Sequence, residues 1–228
     1  MDTTLSNYYK KSIRLTPNGF SLFKVNDNGK MERHDVPAGE NVLLTTKAPE
    51  FFGMETATPQ PIDIIVGTHV PMLVPDVIYD EAKAKDYLNM QFDITHYGQH
   101  FSDQLGHYRS LYFLTQNEYD TINHLPCIPH FISEGTLLYR FLCEKGESEA
   151  MLLSVNDHYV DVIATHGGEP SFVNRLTRTE NVDVLYYTLN CMQQFVMNTP
   201  TLFVHYFNKP NKKLNDLLMK YHEKVVLL

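Results

Sequence analysis

The chain has 228 residues, 43% of them hydrophobic and 20% charged, and a formal net charge of −8. That balance excludes a disordered chain, and the length suits one large domain or two small lobes. A net-acidic surface argues against a nucleic-acid partner, because neutralising phosphates dominates that binding.

In chain order, "SIRLT" (12–16), "GFSLFKV" (19–25) and "KMERHDV" (30–36) form an antiparallel meander. Its turns fall at Pro17-Asn18 and Asn28-Gly29, and the Asn-Gly pair predicts a type I′ turn. Strand alternation predicts that Ile13, Leu15, Phe20 and Leu22 are buried, with Arg14 and Ser21 on the opposite face or at the rim. A short helix is expected over 40–48. "APEFFGMETATPQP" (48–61) follows, with three prolines and no helical or strand period. Its Phe51-Phe52 pair suits either a docking knob for a protein partner or rings folded back onto the core. "PIDIIVG" (61–67) and "VPMLVP" (70–75) read as apolar strands. Residues 76–88 read as a helix capped by Asp76. An added section follows: strands in "FDITHYGQHF" and "HYRSLYFLT", then a helix "QNEYDTIN". "CIPHFIS" is a further strand and "GTLLYRFLCEK" a helix.

The C-terminal half opens with a second meander. "MLLSV" (151–155), "YVDVIAT" (159–165) and "PSFVNRL" (170–176) are joined by short turns, the second containing Gly167-Gly168. The period then changes. Thr179 is the expected cap of a helix running to about Asn198, in which Val182, Leu185, Tyr186, Leu189 and Val196 recur at spacings of three, four and seven. Pro200 stops it. A strand at 201–207, a helix at 211–222 and a last strand "KVVLL" (224–228) complete the order β-β-β-α-β-α-β. Val225, Val226, Leu227 and Leu228 are expected to be covered on both faces. The fold class is α/β: two ribonuclease-H-like lobes, 1–146 and 147–228, that open alike and so suggest a duplication.

Tandem lobes of this kind resemble the superfamily of actin, sugar kinases and Hsp70. More closely, the chain resembles a Bacteroidetes family of unknown function with a reduced actin-like ATPase fold. The stretches that carry the resemblance are "SIRLTPNGFSLF", "PMLVPDVIYDEAKAKDYLNMQF" and "FVNRLTRTENVDVLYYTLNCMQQF". The resemblance implies a nucleotide site built from three elements, and each is absent from its expected place. The first hairpin needs an acid for Mg²⁺ and backbone N–H groups for phosphate. Arg14, Leu15 and Thr16 precede its turn instead, and Pro17 removes one donor. Only Gly19 and Ser21 echo the pattern. The second hairpin offers Asp157 without a glycine. The adenine-side turn, "NKPNKK", has no glycine either. Gly19, Ser21 and Asp157 are therefore the residues of an alternative, nucleotide-binding reading, and the first reading is a degenerate site that takes no cofactor.

Other chemistries find little support. A ribonuclease-H-like nuclease needs a carboxylate within the first strand, and neither "SIRLT" nor "MLLSV" has one. His124, Cys127 and His130 are spaced by three but lack a fourth zinc ligand, and Pro126 and Pro129 interrupt them. His96 and His100 share a strand face, with His107 beyond, and read as solvent-facing. Lys209, Lys212 and Lys213 read as the solvated start of a helix. There is no G-x-S-x-G elbow, P-loop or dinucleotide fingerprint. Cys127, Cys143 and Cys191 are an odd number in apolar surroundings and read as reduced core residues of a cytoplasmic protein. "MDTTLSNYYKKS" has no apolar h-region, and no run approaches the roughly 20 residues that cross a bilayer. The expectation is a non-catalytic cytoplasmic scaffold with no metal site and no membrane insertion. It would act through an unknown protein partner, with self-association left open.

Overall fold

The computed structural model describes residues 5–37 and 43–228. Its regular elements, in order, are β1 (Lys11–Thr16), β2 (Gly19–Val25), β3 (Met31–Pro37), α1 (Leu44–Phe52), β4 (Gln60–Val66), β5 (Met72–Pro75), α2 (Ala84–Gln91), β6 (Tyr97–Leu105), β7 (Tyr108–Thr115), α3 (Gln116–Asn123), β8 (Cys127–Ser133) and α4 (Glu134–Lys145). Then come β9 (Glu149–Val155), β10 (Tyr159–His166), β11 (Glu169–Thr177), α5 (Asn181–Gln194), β12 (Thr201–Tyr206), α6 (Lys212–Tyr221) and β13 (Val225–Leu227). The chain forms two compact units. The first lobe comprises 6–104 and 108–136; the second comprises Leu5, 105–107 and 137–228.

The first lobe holds a five-stranded sheet in the order β3-β2-β1-β4-β8, and the second holds one in the order β11-β10-β9-β12-β13. In each, three antiparallel strands are followed by two parallel ones, which is the ribonuclease-H-like order. The parallel strands need a crossover, and helices supply it. Between β4 and β8 the first lobe also carries a separate sheet, β5-β7-β6. Its core is Val74, Leu111 and Phe113 against Ala84 and Leu88.

The alternation read from the first hairpin is what the structure shows. Ile13, Leu15, Phe20 and Leu22 are buried against α1 and α3. Each such side chain contributes about 1.5–3 kcal/mol by leaving water. In the second lobe Met151, Leu153, Val160, Val162, Leu202 and Val204 pack beneath α5 and α6.

Several local expectations change. The helix expected over 76–88 begins at Ala84, after a 3₁₀ turn at Glu81–Lys83 capped by Asp80 rather than Asp76. Asp76 instead faces Gln104 and Arg109. The helix expected over 40–48 continues to Phe52 as α1, while its first residues, 40–42, lie outside the described residues. Gly29 has φ +74° but Asn28 does not, so the Asn28-Gly29 turn is not type I′. The Asn26 side chain organises it instead, accepting from the N–H groups of Asn28 and Lys30. Glu180, not Thr179, caps α5, and Asp183 accepts from both N–H groups. β13 is parallel to β12, as expected, but it is not covered on both faces. It is a three-residue edge strand, and Val226, Leu227 and Leu228 are 40%, 46% and 42% exposed. An edge strand has a neighbour on one side only, and of these residues only Val225 reaches the core.

Beneath α5 the Cys191 thiol is buried, and burial pushes its pKa up to about 12. Burial likewise pushes the Tyr206 phenol up to about 12. Both groups are neutral acids whose ionisation the fold opposes. Their contribution is complete below their unfolded values of about 8.5 and 10 and is lost as pH rises towards the folded ones. The urea midpoint should therefore fall between about pH 9 and 11. Cys191→Ala should flatten that fall, and an unchanged slope would contradict the assignment.

Candidate functional site

The hairpin ends are where an actin-like fold would hold phosphate, so each is described within its own lobe. In the first lobe, Arg14 and Ser21 face away from Ile13 and Leu15, as alternation requires, yet neither is at the rim. They are 3% and 5% exposed. Arg14 lies opposite Ser21, and Ser21 opposite Asp35, so one polar row crosses β1, β2 and β3. The Ser21 hydroxyl donates to Asp35 Oδ1 at 2.6 Å, and that oxygen also accepts from Arg33 Nε at 2.7 Å.

Arg14 finds its acid elsewhere. Its Nε donates to Glu134 Oε1 at 2.6 Å, and both side chains are 3% exposed. Tyr9 Oη donates to the same oxygen at 3.1 Å. Glu134 is the first residue of α4, where a carboxylate also meets the positive end of the helix dipole. The carboxylate runs close past Gly67, where a Cβ would sit 2.1 Å from Oε2 and 2.9 Å from the Leu15 carbonyl oxygen. Gly67 also donates its N–H to that carbonyl at 2.9 Å. The middle of β1 therefore holds a cation that is paired with a carboxylate and shut away from solvent.

The second lobe repeats the row with different residues. Ser154 lies opposite Asp161, and Asp161 opposite Arg175, on β9, β10 and β11. Here the row pairs within itself. Arg175 binds Asp161 through two hydrogen bonds, at 2.6 and 2.8 Å, and stacks over the Tyr159 ring at 3.9 Å. Asp157, at the hairpin tip, is exposed and accepts from Asn208 Nδ2 at 2.7 Å. Gly167 and Gly168 both have positive φ, as a tight two-residue turn demands, and the Gly168 carbonyl accepts from Tyr139 Oη at 2.8 Å.

Gly19, with φ +122°, lines a pocket of about 220 Å³ with Leu15, Thr16, Phe20, Leu44, Thr115, Asn117, Glu118 and Thr121. This is smaller than a typical ligand site of about 300–1,000 Å³. Among the described residues no basic side chain lines it, and its carboxylate is Glu118. Glu118 is occupied in the capping box of α3, accepting from Thr115 N and Oγ1 at 2.8 Å each. Phe51 and Phe52 close the last turn of α1 and pack half-buried on the core, edge to face at 5.0 Å. Phe51 also lines a groove of about 290 Å³ with Lys24, His34, Lys47 and Glu50, and Lys24 Nζ lies 4.6 Å above its ring.

The histidines are dispersed. His130 pairs with Asp63, His100 with Glu81 and His107 with Glu169, while His124 bonds the Asp120 carbonyl. Among the described residues no three His, Cys, Asp or Glu converge as metal ligands, and no helix is long and apolar enough to cross a membrane.

The family profile described as "Protein of unknown function (DUF3822)" matches residues 1–225. The chain belongs to the DUF3822 family. Its fold is that of actin-like ATPases. A Bacteroides thetaiotaomicron protein with an actin-like ATPase fold and unknown function superimposes with a TM-score of 0.72 at 20% identity, over 100% of this chain and 93% of that one. A structure of the PilM–PilN type IV pilus biogenesis complex gives a TM-score of 0.64 at 12% identity, over 96% of this chain and 88% of that one. No curated protein matches the chain. For this DUF3822 protein the likeness therefore fixes the fold, and the function has to be argued from its own residues.

The pairing of Arg14 with Glu134 is the feature that sequence reading missed. The signal was present in part. A charged residue inside an apolar strand requires a buried counter-charge. Nothing local indicated which acid, because the partner lies 120 residues away.

Proposed function

We propose that this DUF3822 protein is a non-catalytic cytoplasmic scaffold: an actin-like fold that has given up nucleotide and acts through protein contacts. The observation that carries this reading is the buried Arg14–Glu134 pair. Mg-ATP brings about four negative charges, and losing their hydration must be offset by metal, cations and oriented N–H groups. Arg14 cannot serve, because its charge is spent on Glu134. Ser21 is bound to Asp35 and Asp157 to Asn208. Pro17 has no N–H to offer. Of the residues of the alternative reading, Ser21 and Asp157 are thus occupied within their own lobes, and Gly19 lines only the small pocket that carries no basic side chain among the described residues. The PilM–PilN complex supports the protein-contact part of the proposal, since a protein of similar fold is found there with a protein partner. The groove beside Phe51 is the surface we propose for such a partner in the first lobe.

Calorimetric titration with Mg-ATP and Mg-ADP tests the proposal. The expected result is no heat of binding and no shift in melting. A ligand at 100 times its Kd would add about 2.7 kcal/mol of stability, which melting detects readily. Micromolar binding that is lost in Gly19→Val or Asp157→Ala would overturn the proposal in favour of a divergent nucleotide switch.

A further inference from the structure

The α5 helix carries two apolar stripes, and the fold buries only one. Val184, Leu185, Thr188, Cys191 and Met192 face the core. Val182, Tyr186 and Leu189 do not; they are 53%, 63% and 38% exposed. The period of these residues marked the helix but not which stripe of it the core would cover. Exposed Gln193 continues their stripe, and Val196, just beyond the helix, is 74% exposed. Within the helix the spacing 182-186-189-193 is four-three-four, the seam of a helix that packs on another helix, and Val196 lies just past its end.

The geometry points to a second copy of this chain as the occupant, its α5 antiparallel to the first about a two-fold axis at Leu189. Self-complementarity supports this choice. Turning the stripe end for end about Leu189 sets Leu189 against itself and brings Val182 to the end where Val196 leaves the helix. Tyr186 then falls beside Gln193, so the two polar groups in the seam can satisfy each other. A two-fold contact requires this kind of self-matching. Charge supports it too. Each copy carries −8, so identical surfaces repel wherever they are charged. Within the seam's span, 182–196, the sole charged residue is Asp183, and its carboxylate is held by the Thr179 and Glu180 N–H groups, in a chain that is 20% charged. Finally, Val196 has φ +53°. A β-branched residue is strained there, at a helix end where Gly or Asn is usual. A strained and exposed valine is accounted for if its side chain is used by a partner.

The seam is short. Fourteen helical residues span about 21 Å, so the contact falls below the standard interface size and the dimer is weak, with a Kd of about 100 μM. The proposal is independent of whether nucleotide binding survives. Sedimentation equilibrium from about 10 μM to 1 mM should show the mass rising from 26.4 kDa towards twice that value. Leu189→Glu and Leu189→Lys should each abolish the rise by setting like charges on the axis. Mixing the two variants should restore it, as only a self-contact at Leu189 allows. Tyr186→Glu, at a more exposed position, repeats the test if either Leu189 variant fails to fold. Val196→Gly should raise the melting temperature by relieving strain while weakening association at least threefold. A mass of 26.4 kDa throughout, or association that survives Leu189→Glu in a folded protein, would overturn the proposal.

Discussion

Arg14→Met should destabilise the protein by about 3–5 kcal/mol, and Glu134→Met should do the same. Each single change strands a charge in a site that is 3% exposed. Arg14→Met leaves the Glu134 carboxylate with Tyr9 as its one side-chain hydrogen-bond donor among the described residues. Glu134→Met leaves the guanidinium without its counter-ion. A loss of this size is a large part of a typical margin of about 5–15 kcal/mol, so either variant should be unfolded or nearly so at 37 °C. The double variant Arg14→Met/Glu134→Met removes both charges at similar volume, and replacing a buried pair in this way is often neutral or stabilising by about 1–4 kcal/mol. The double-mutant cycle should therefore give a coupling of several kcal/mol in urea unfolding. Additive single losses would mean that the pair is not buried as described. If the proposed loss of nucleotide binding holds, the double variant should not bind Mg-ATP either, because removing the cation adds no acid to β1 and no N–H group at Pro17.

The strand order was legible because it rests on local signals. Short apolar runs separated by Gly, Asn and Pro mark a meander, and helical spacing marks each crossover. Boundaries were less legible where a side chain, not the period, decides them. Asp80 rather than Asp76 starts the helical region before α2, since its side chain accepts from Ala82 N at 3.0 Å. Which stripe of α5 faces the core could not be read, because Val182-Tyr186-Leu189 and Leu185-Thr188-Met192 have the same period. The sheet surface beneath the helix makes that choice. At the hairpins the sequence shows no acid on β1, a proline at the turn and no glycines near Asn208. The partner of Arg14 was not legible, because Arg14–Glu134 joins the first strand to a helix that the chain reaches only after β8.

A second buried pair makes the same point about register, and removing it should cost nearly as much. Gly167-Gly168 closes the β10–β11 hairpin, and His166 faces Glu169. Counting straight back from that turn sets Asp161 opposite Asn174. The structure sets it opposite Arg175, because the register shifts between Ala164 and Thr165, with Ser171 as the extra residue on β11. One step of register decides which face a side chain takes. The bulge therefore brings Arg175 to the side of Asp161, where it forms the two short hydrogen bonds and covers Tyr159. Asp161→Ala should cost about 3 kcal/mol, at the lower end for a broken buried pair, because Arg175 keeps some contact with water at 15% exposure. Deleting Ser171 should behave differently. The deletion straightens β11 but leaves Phe172 facing Ala164 and Arg175 facing Asp161, so it should cost no more than about 1 kcal/mol. Urea unfolding of the two variants side by side decides the matter. If deleting Ser171 is as damaging as Asp161→Ala, the bulge does more than set the register; if Asp161→Ala is harmless, the row across the second lobe does not hold its sheet together.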